Sequence, residues 1–120
     1  MKRFYLITFL ITLLLISGCT GSAKQLKKTN NFGINSAKKG YWNEAKFRWE
    51  CILEKHPDDY VAMNNLAVCY EREGNFDKAI ELYMVAIELA PKNKYIKINL
   101  QRAELVRANL DFKTKPGEEK

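Results

Sequence analysis

Histidine is almost missing from this chain: His56 is the only one in 120 residues. Cysteine and proline occur three times each and tryptophan twice. With one His, and no Cys-x-x-Cys spacing among Cys19, Cys51 and Cys69, neither a zinc site nor a nucleophile–base pair can be assembled. No glycine-rich phosphate loop is present either. His56 precedes Pro57 and reads as a solvated turn residue. The adjacent carboxylates Asp58 and Asp59 sit where a helix begins, so capping explains them better than acid–base chemistry. An enzyme, a metal and a cofactor are therefore not expected. At this length the chain holds one small domain at most.

Long apolar runs are also scarce, with one exception at the start. Met1-Lys2-Arg3 is basic, Phe4 to Ile16 is almost unbroken apolar sequence, and Ser17-Gly18 is small. This is the layout of a secretion signal over residues 1–18, and the run is short for a membrane span. The segment Ile16-Ser17-Gly18-Cys19 resembles the bacterial lipobox. That resemblance implies cleavage before Cys19, a diacylglyceryl thioether on its sulfur and acylation of the new amino terminus. An ordinary signal peptide with an incidental Cys is the alternative. Thr20 stands where the inner-membrane retention signal of enteric bacteria has Asp. In a host with two membranes this implies the outer membrane, facing the periplasm.

Cleavage removes Lys2 and Arg3 and lowers the formal charge from +6 to +4. Export argues against nucleic acid as the partner of this basic balance, and no basic helix with interleaved aromatics occurs. Residues 20–25 read as a flexible tether with a reach on the order of 20 Å. Its Lys24, with Lys27 and Lys28 just beyond, is placed either to lean on acidic head groups or simply to be solvated.

The rest of the chain repeats itself at a spacing of 34 residues. Phe32 matches Leu66, Gly33 matches Ala67, Gly40 matches Gly74, Trp42 matches Phe76, Ala45 matches Ala79, Trp49 matches Tyr83 and Pro57 matches Pro91. Such a period signals stacked helix–turn–helix units. Residues 60–93, with Leu66-Ala67, Tyr70, Gly74-Asn75-Phe76, Ala79, Tyr83, Ala86 and Pro91, resemble a full tetratricopeptide repeat. They depart from it mainly at Met63, where the family often has Trp. Residues 26–59 resemble a looser copy, with Ser36 in the place of Tyr70 and Ile52 in that of Ala86.

The expected fold is all-α: an α-α superhelix of two helix pairs plus a covering C-terminal helix. Helices are placed at 26–39, 43–55, 60–73, 77–90 and 94–110, within a domain spanning 26–112. Gly40 and Gly74 end first helices in left-handed conformation. Asn43 and Asp77 are expected to cap the second helices, and Pro57 and Pro91 mark their exits. Ile96, Leu100 and Ala103, with Leu110 at the margin, form the inner stripe of the fifth helix. Residues 113–120 read as a disordered tail. Cys51, by helical phase, faces outward beside Phe47, whereas Cys69 lies next to Leu66 and Tyr70. No disulfide between them is expected, because those directions diverge.

The resemblance implies a concave face lined by the first helix of each pair. Carried over by the offset, that face holds Asn30, Ile34, Lys38, Val61, Asn64, Val68 and Arg72, and the fifth helix adds Tyr95, Ile98, Arg102 and Leu105. It is apolar in the middle with basic and amide groups around it, and Arg72 and Arg102 fall at the rim. Aligned exposed apolar residues point to a partner; cover by the tether or Phe112, or no role, are the alternatives. The positions of a carboxylate clamp known in some members hold Asn30, Ile34, Asn65, Tyr95 and Asn99, without a cation, so that mode is not expected. The expected function is a membrane-anchored scaffold for a protein or peptide in the bacterial cell envelope. The alternatives are a pilotin-like assembly factor for an outer-membrane secretin or pilus complex, or an adaptor for a cell-wall hydrolase. The oligomeric state is not legible.

Overall fold

Five helices form among residues 22–114, the part of the chain that the computed structural model describes: α1 (Ala23–Lys38), α2 (Trp42–Lys55), α3 (Tyr60–Arg72), α4 (Phe76–Leu89) and α5 (Lys94–Thr114). No strand occurs among the described residues. Each helix packs against the next in the chain, giving an α-α superhelix of two helix pairs covered by α5. Residues 1–21, which include the expected signal sequence and Cys19, and residues 115–120 lie outside the described residues.

The two pairs are built by the same local chemistry. Gly40 and Gly74 have φ of 85° and 76°, a region that costs other residues energy but not glycine. That backbone folds the helix end back on itself. The Tyr41 N–H donates to the Ser36 carbonyl and the Gly40 N–H to that of Ala37; Asn75 and Gly74 repeat both bonds to Tyr70 and Glu71. This double closure satisfies carbonyls that a helix end otherwise leaves open.

Capping follows the sequence reading at α3 and departs from it at α2 and α4. Asp59 caps α3, accepting from the Ala62 N–H at 2.8 Å. The cap of α4 is Asn75, which accepts from the Lys78 N–H at 3.3 Å, and that of α2 is Tyr41, whose side chain makes no cap bond. Asn43 and Asp77 therefore lie inside the helices they were expected to cap. The tight glycine closure returns the chain to helical geometry sooner than the polar residues suggest.

Two other boundaries move. Helix α1 starts at Ala23 instead of 26, so Ala23-Lys24-Gln25, expected in the tether, are helical. Helix α5 continues through Lys113 and Thr114, past the expected stop at 110. These added residues contain no Gly or Pro, and nothing in them opposes helix.

The core falls into two clusters. Ala45, Trp49, Ile52, Ala62, Leu66 and Cys69 form the first. Met63, Ala67, Ala79, Tyr83, Ala86, Ile96 and Ala103 form the second, so α5 closes the open side of the second pair with Ile96 and Ala103. Leu100 packs against this cluster partly buried, whereas Leu110 stays exposed. Gly33 sits so close to the Trp49 indole that a Cβ there would lie 3.0 Å from Cε2 and Nε1.

No disulfide joins Cys51 and Cys69. Cys51 is only 9 % exposed, not outward as its phase suggested. Helix α2 packs against both α1 and α3, and a helix flanked on two sides buries more than one stripe.

Candidate partner-binding face

Asparagine side chains link the first helices of successive units. Asn65 Nδ2 on α3 donates to Asn30 Oδ1 on α1 at 3.2 Å. One repeat later, Asn99 Nδ2 on α5 donates to Asn64 Oδ1 on α3 at 2.9 Å. Each bond spans 35 residues, and the second repeats the first at an offset of 34. Asn64 Nδ2 donates to Asn65 Oδ1 at 3.2 Å, and Trp49 Nε1 donates to Asn30 Oδ1 at 2.9 Å. A continuous amide ladder thus runs from α5 across α3 to α1, anchored in the first core cluster by Trp49.

The ladder keeps hydrogen-bonding capacity. Asn30 Nδ2 donates to none of these groups and Asn99 Oδ1 accepts from none. Among the described residues no buried side-chain polar atom lacks a partner, so these unused groups reach solvent. An amide offers both donor and acceptor, the two functions that an extended peptide backbone needs from its host.

Around the ladder, helical phase sorts the side chains. At about 100° per residue, Val61, Val68 and Arg72 share the middle of the α3 face. Asn65 turns toward α1, while Asn64 and Glu71 turn toward α5. Val61 is exposed and Val68 half-buried against the second core cluster. The Arg72 guanidinium lies over the Trp42 ring, 4.3 Å from its centroid. Such stacking stabilises the cation without neutralising it. Lys38 is exposed in the last turn of α1.

Glu71, absent from the sequence reading, is the electrostatic hub. Its carboxylate accepts from the Tyr83 hydroxyl and pairs with Arg102 at 2.9 Å. Burial first, and this carboxylate second, push the Tyr83 phenol well above its ordinary range. The same carboxylate holds the Arg102 cation above its usual value by hydrogen bonding. Arg102 is thus a partner of Glu71, not the uncommitted rim cation that the sequence suggested.

The expected groove residues do not all share one role. Asn30 and Asn64 are rungs of the ladder. Ile34 is half-buried against the first core cluster, so it packs the fold more than it faces a ligand. Tyr95 is exposed. Ile98 and Leu105 are exposed at 55 % and 64 %, but they occupy on α5 the positions that Asn64 and Glu71 occupy on α3. Those positions turn toward the next first helix. The apolar pair therefore lies at the open end of the stack, beside the face and not at its middle. The ladder was legible in part: the doublets Asn30-Asn31 and Asn64-Asn65, and Asn99 after them, keep the 34-residue offset.

Among the described residues no cluster of His, Cys, Asp and Glu could hold a metal ion. No helix among them is long and apolar enough to cross a membrane. The chemistry of the face is hydrogen bonding, apolar contact and attraction of anionic groups by Arg72 and Lys38.

A search of the curated proteins finds no match to this chain. A family model described as a domain of unknown function, DUF6340, matches residues 32–111, from the middle of α1 almost to the end of α5. The match takes in the whole ladder apart from Asn30, both core clusters and the open end, and the chain belongs to this family.

Proposed function

We propose that the chain is a lipid-anchored scaffold of the bacterial cell envelope, similar to tetratricopeptide repeat proteins, that holds an extended protein segment along the face of its first helices. The observation that carries this reading is the amide ladder. Four Asn side chains in a row, still able to donate and accept, run beside exposed Val61, Tyr95 and Arg72. A peptide laid across them gains backbone hydrogen bonds from the amides and apolar contact from Val61 and Tyr95. Arg72 favours an acidic residue in that peptide and steers its approach. The lipid anchor rests on the sequence around Cys19. It keeps the face close to a membrane, where Lys24, Lys27 and Lys28 meet anionic head groups.

Photocrosslinking residues placed singly at Val61, Tyr95 and Glu88 test the ligand reading in the native host. Val61 and Tyr95 should capture one common protein, and Glu88, exposed on α4, should not. Equal capture at all three positions would remove the face from consideration. Cys19→Ser should abolish acylation and leave the precursor uncut. Continued processing between Gly18 and residue 19, with continued membrane partition, would refute the anchor.

A further inference from the structure

The two ends of the helix stack are chemically opposite. At the α1 end, Asn31 holds the position from which Asn65 and Asn99 reach back to a preceding helix, and it is exposed among Lys24, Lys27 and Lys28. At the α5 end the ladder position filled by Asn30 and Asn64 becomes Ile98. Leu105 and Phe112 follow at intervals of seven residues. Ile98, Leu105 and Phe112 are exposed at 55 %, 64 % and 84 %. Gln101 and Ala108 lie between them, so the seam has the spacing of a helix-pairing stripe. It runs opposite Ile96 and Ala103, the residues that α5 buries in its own core.

We propose that this seam pairs with the same seam of a second copy, the two α5 helices lying antiparallel about a twofold axis. End repeats of helical stacks normally present a polar outer surface; this one presents three large apolar side chains in line. A third helix pair completed within one copy is disfavoured by α5 itself. Lys97, Gln101 and Glu104 stand where Met63, Ala67 and Tyr70 of α3 meet α4, and they are exposed and polar. Head-to-tail stacking of copies fails as well, because Asn31 of one copy would meet Ile98 of the other and find no acceptor. Like-to-like contact sets all three apolar side chains of the seam against apolar ones, where the α1 end offers only Phe32 among lysines and amides, and a twofold interface is self-complementary by construction.

Charge sets the direction. One flank of the seam carries Lys97, Glu104 and Asp111 in that order, all exposed. In an antiparallel pair this flank faces itself, which brings Lys97 of each copy near Asp111 of the other and leaves one like-charge contact, Glu104 with its own copy on the axis. A parallel pair would set this flank against the opposite one, with Lys97 of one copy near Arg102 of the other. The contact lies at the end of the stack and does not depend on the ligand reading of the face.

Cysteine crosslinking of the full chain in membranes tests this, with the wild-type chain as control for Cys19, Cys51 and Cys69. Leu105→Cys, at the centre of the seam, should give disulfide-linked dimers. Ile98→Cys alone should not, because in the antiparallel pair its counterpart is about 20 Å away; combined with Phe112→Cys it should. Light scattering in mild detergent should find a dimer whose dissociation constant rises at least tenfold on Leu105→Asp, with helicity unchanged. Three results would each overturn the proposal. One is self-linking of Ile98→Cys as efficient as that of Leu105→Cys. Another is linkage of Leu105→Cys only to a different protein. The third is a monomer at about 100 µM; if Leu105→Cys in that monomer also resists maleimide, a segment of the same chain covers the seam.

Discussion

Replacing Gly33 by Ala pits two effects of opposite sign against each other. Ala is favoured over Gly in a helix interior by about 0.8–1.0 kcal/mol. The added Cβ, however, would lie 3.0 Å from Trp49 Cε2 and Nε1 and 3.2 Å from Cζ2. The indole is 3 % exposed, and its Nε1–H donates to Asn30 at 2.9 Å. It cannot yield without disturbing the core and straining that bond. Overpacking of this kind costs about 1–3 kcal/mol, so Gly33→Ala should destabilise by about 0.5–2 kcal/mol. The second unit shows how the clash is relieved: it has Ala67 at the equivalent position and Tyr83 in place of the indole. In a Trp49→Tyr background Gly33→Ala should therefore stabilise, by up to about 1 kcal/mol. Urea unfolding of the four chains in mild detergent, followed by circular dichroism, gives the coupling energy directly. If Gly33→Ala stabilises equally in both backgrounds, the contact with Trp49 is not what requires glycine here.

The double substitution of Ile98 and Leu105 by Ser should shift monomer stability by no more than about 1 kcal/mol, while Leu100→Ser should cost several times more by removing a core contact. Equal losses in urea unfolding would place Ile98 and Leu105 in the core. Cys69 makes a pH-dependent contribution. Burial first, with the Glu73 carboxylate adding to it, raises its thiol from 9.0 to about 11. The folded state holds this proton more tightly, so the contribution is complete below pH 9 and is lost as pH rises toward 11. Cys69→Ala should flatten that part of the stability curve, and an unchanged slope would contradict the assignment. Asp59→Ala should cost about 1 kcal/mol through the lost cap bond to Ala62, whereas Asn43→Ala, at a position that caps nothing, should cost no more than about 0.5 kcal/mol.

Most of the helix order was readable because glycine, proline and period act locally. Gly40 and Gly74 end helices by their own backbone freedom, and the 34-residue match of small and large residues fixes which helices pair. Side-chain reach was not readable in the same way. Asn43 and Asp77 have the right chemistry for caps, but the glycine closure had already restarted the helix at Tyr41 and Asn75. The phase of Cys51 described one buried stripe, while α2 has neighbours on two sides. At the face, an offset places residues on helices without saying which neighbour each will bond. Arg102 looked like a rim cation, but Glu71, on another helix and 31 residues away in sequence, holds it.

The ladder also has a mechanical meaning. Apolar packing between consecutive helices tolerates sliding, but short amide arms do not stretch, so the first-helix side of the stack behaves like a tendon. Its two spans differ in strength. Between α3 and α5 the 2.9 Å amide bond is doubled by the Glu71–Arg102 ion pair. Between α1 and α3 the tie is a single amide bond of 3.2 Å. A pull applied through the ends loads both spans alike, and the weaker one parts first. The N-terminal unit is therefore the part that swings, while α3, α4 and α5 stay together as one stiff block.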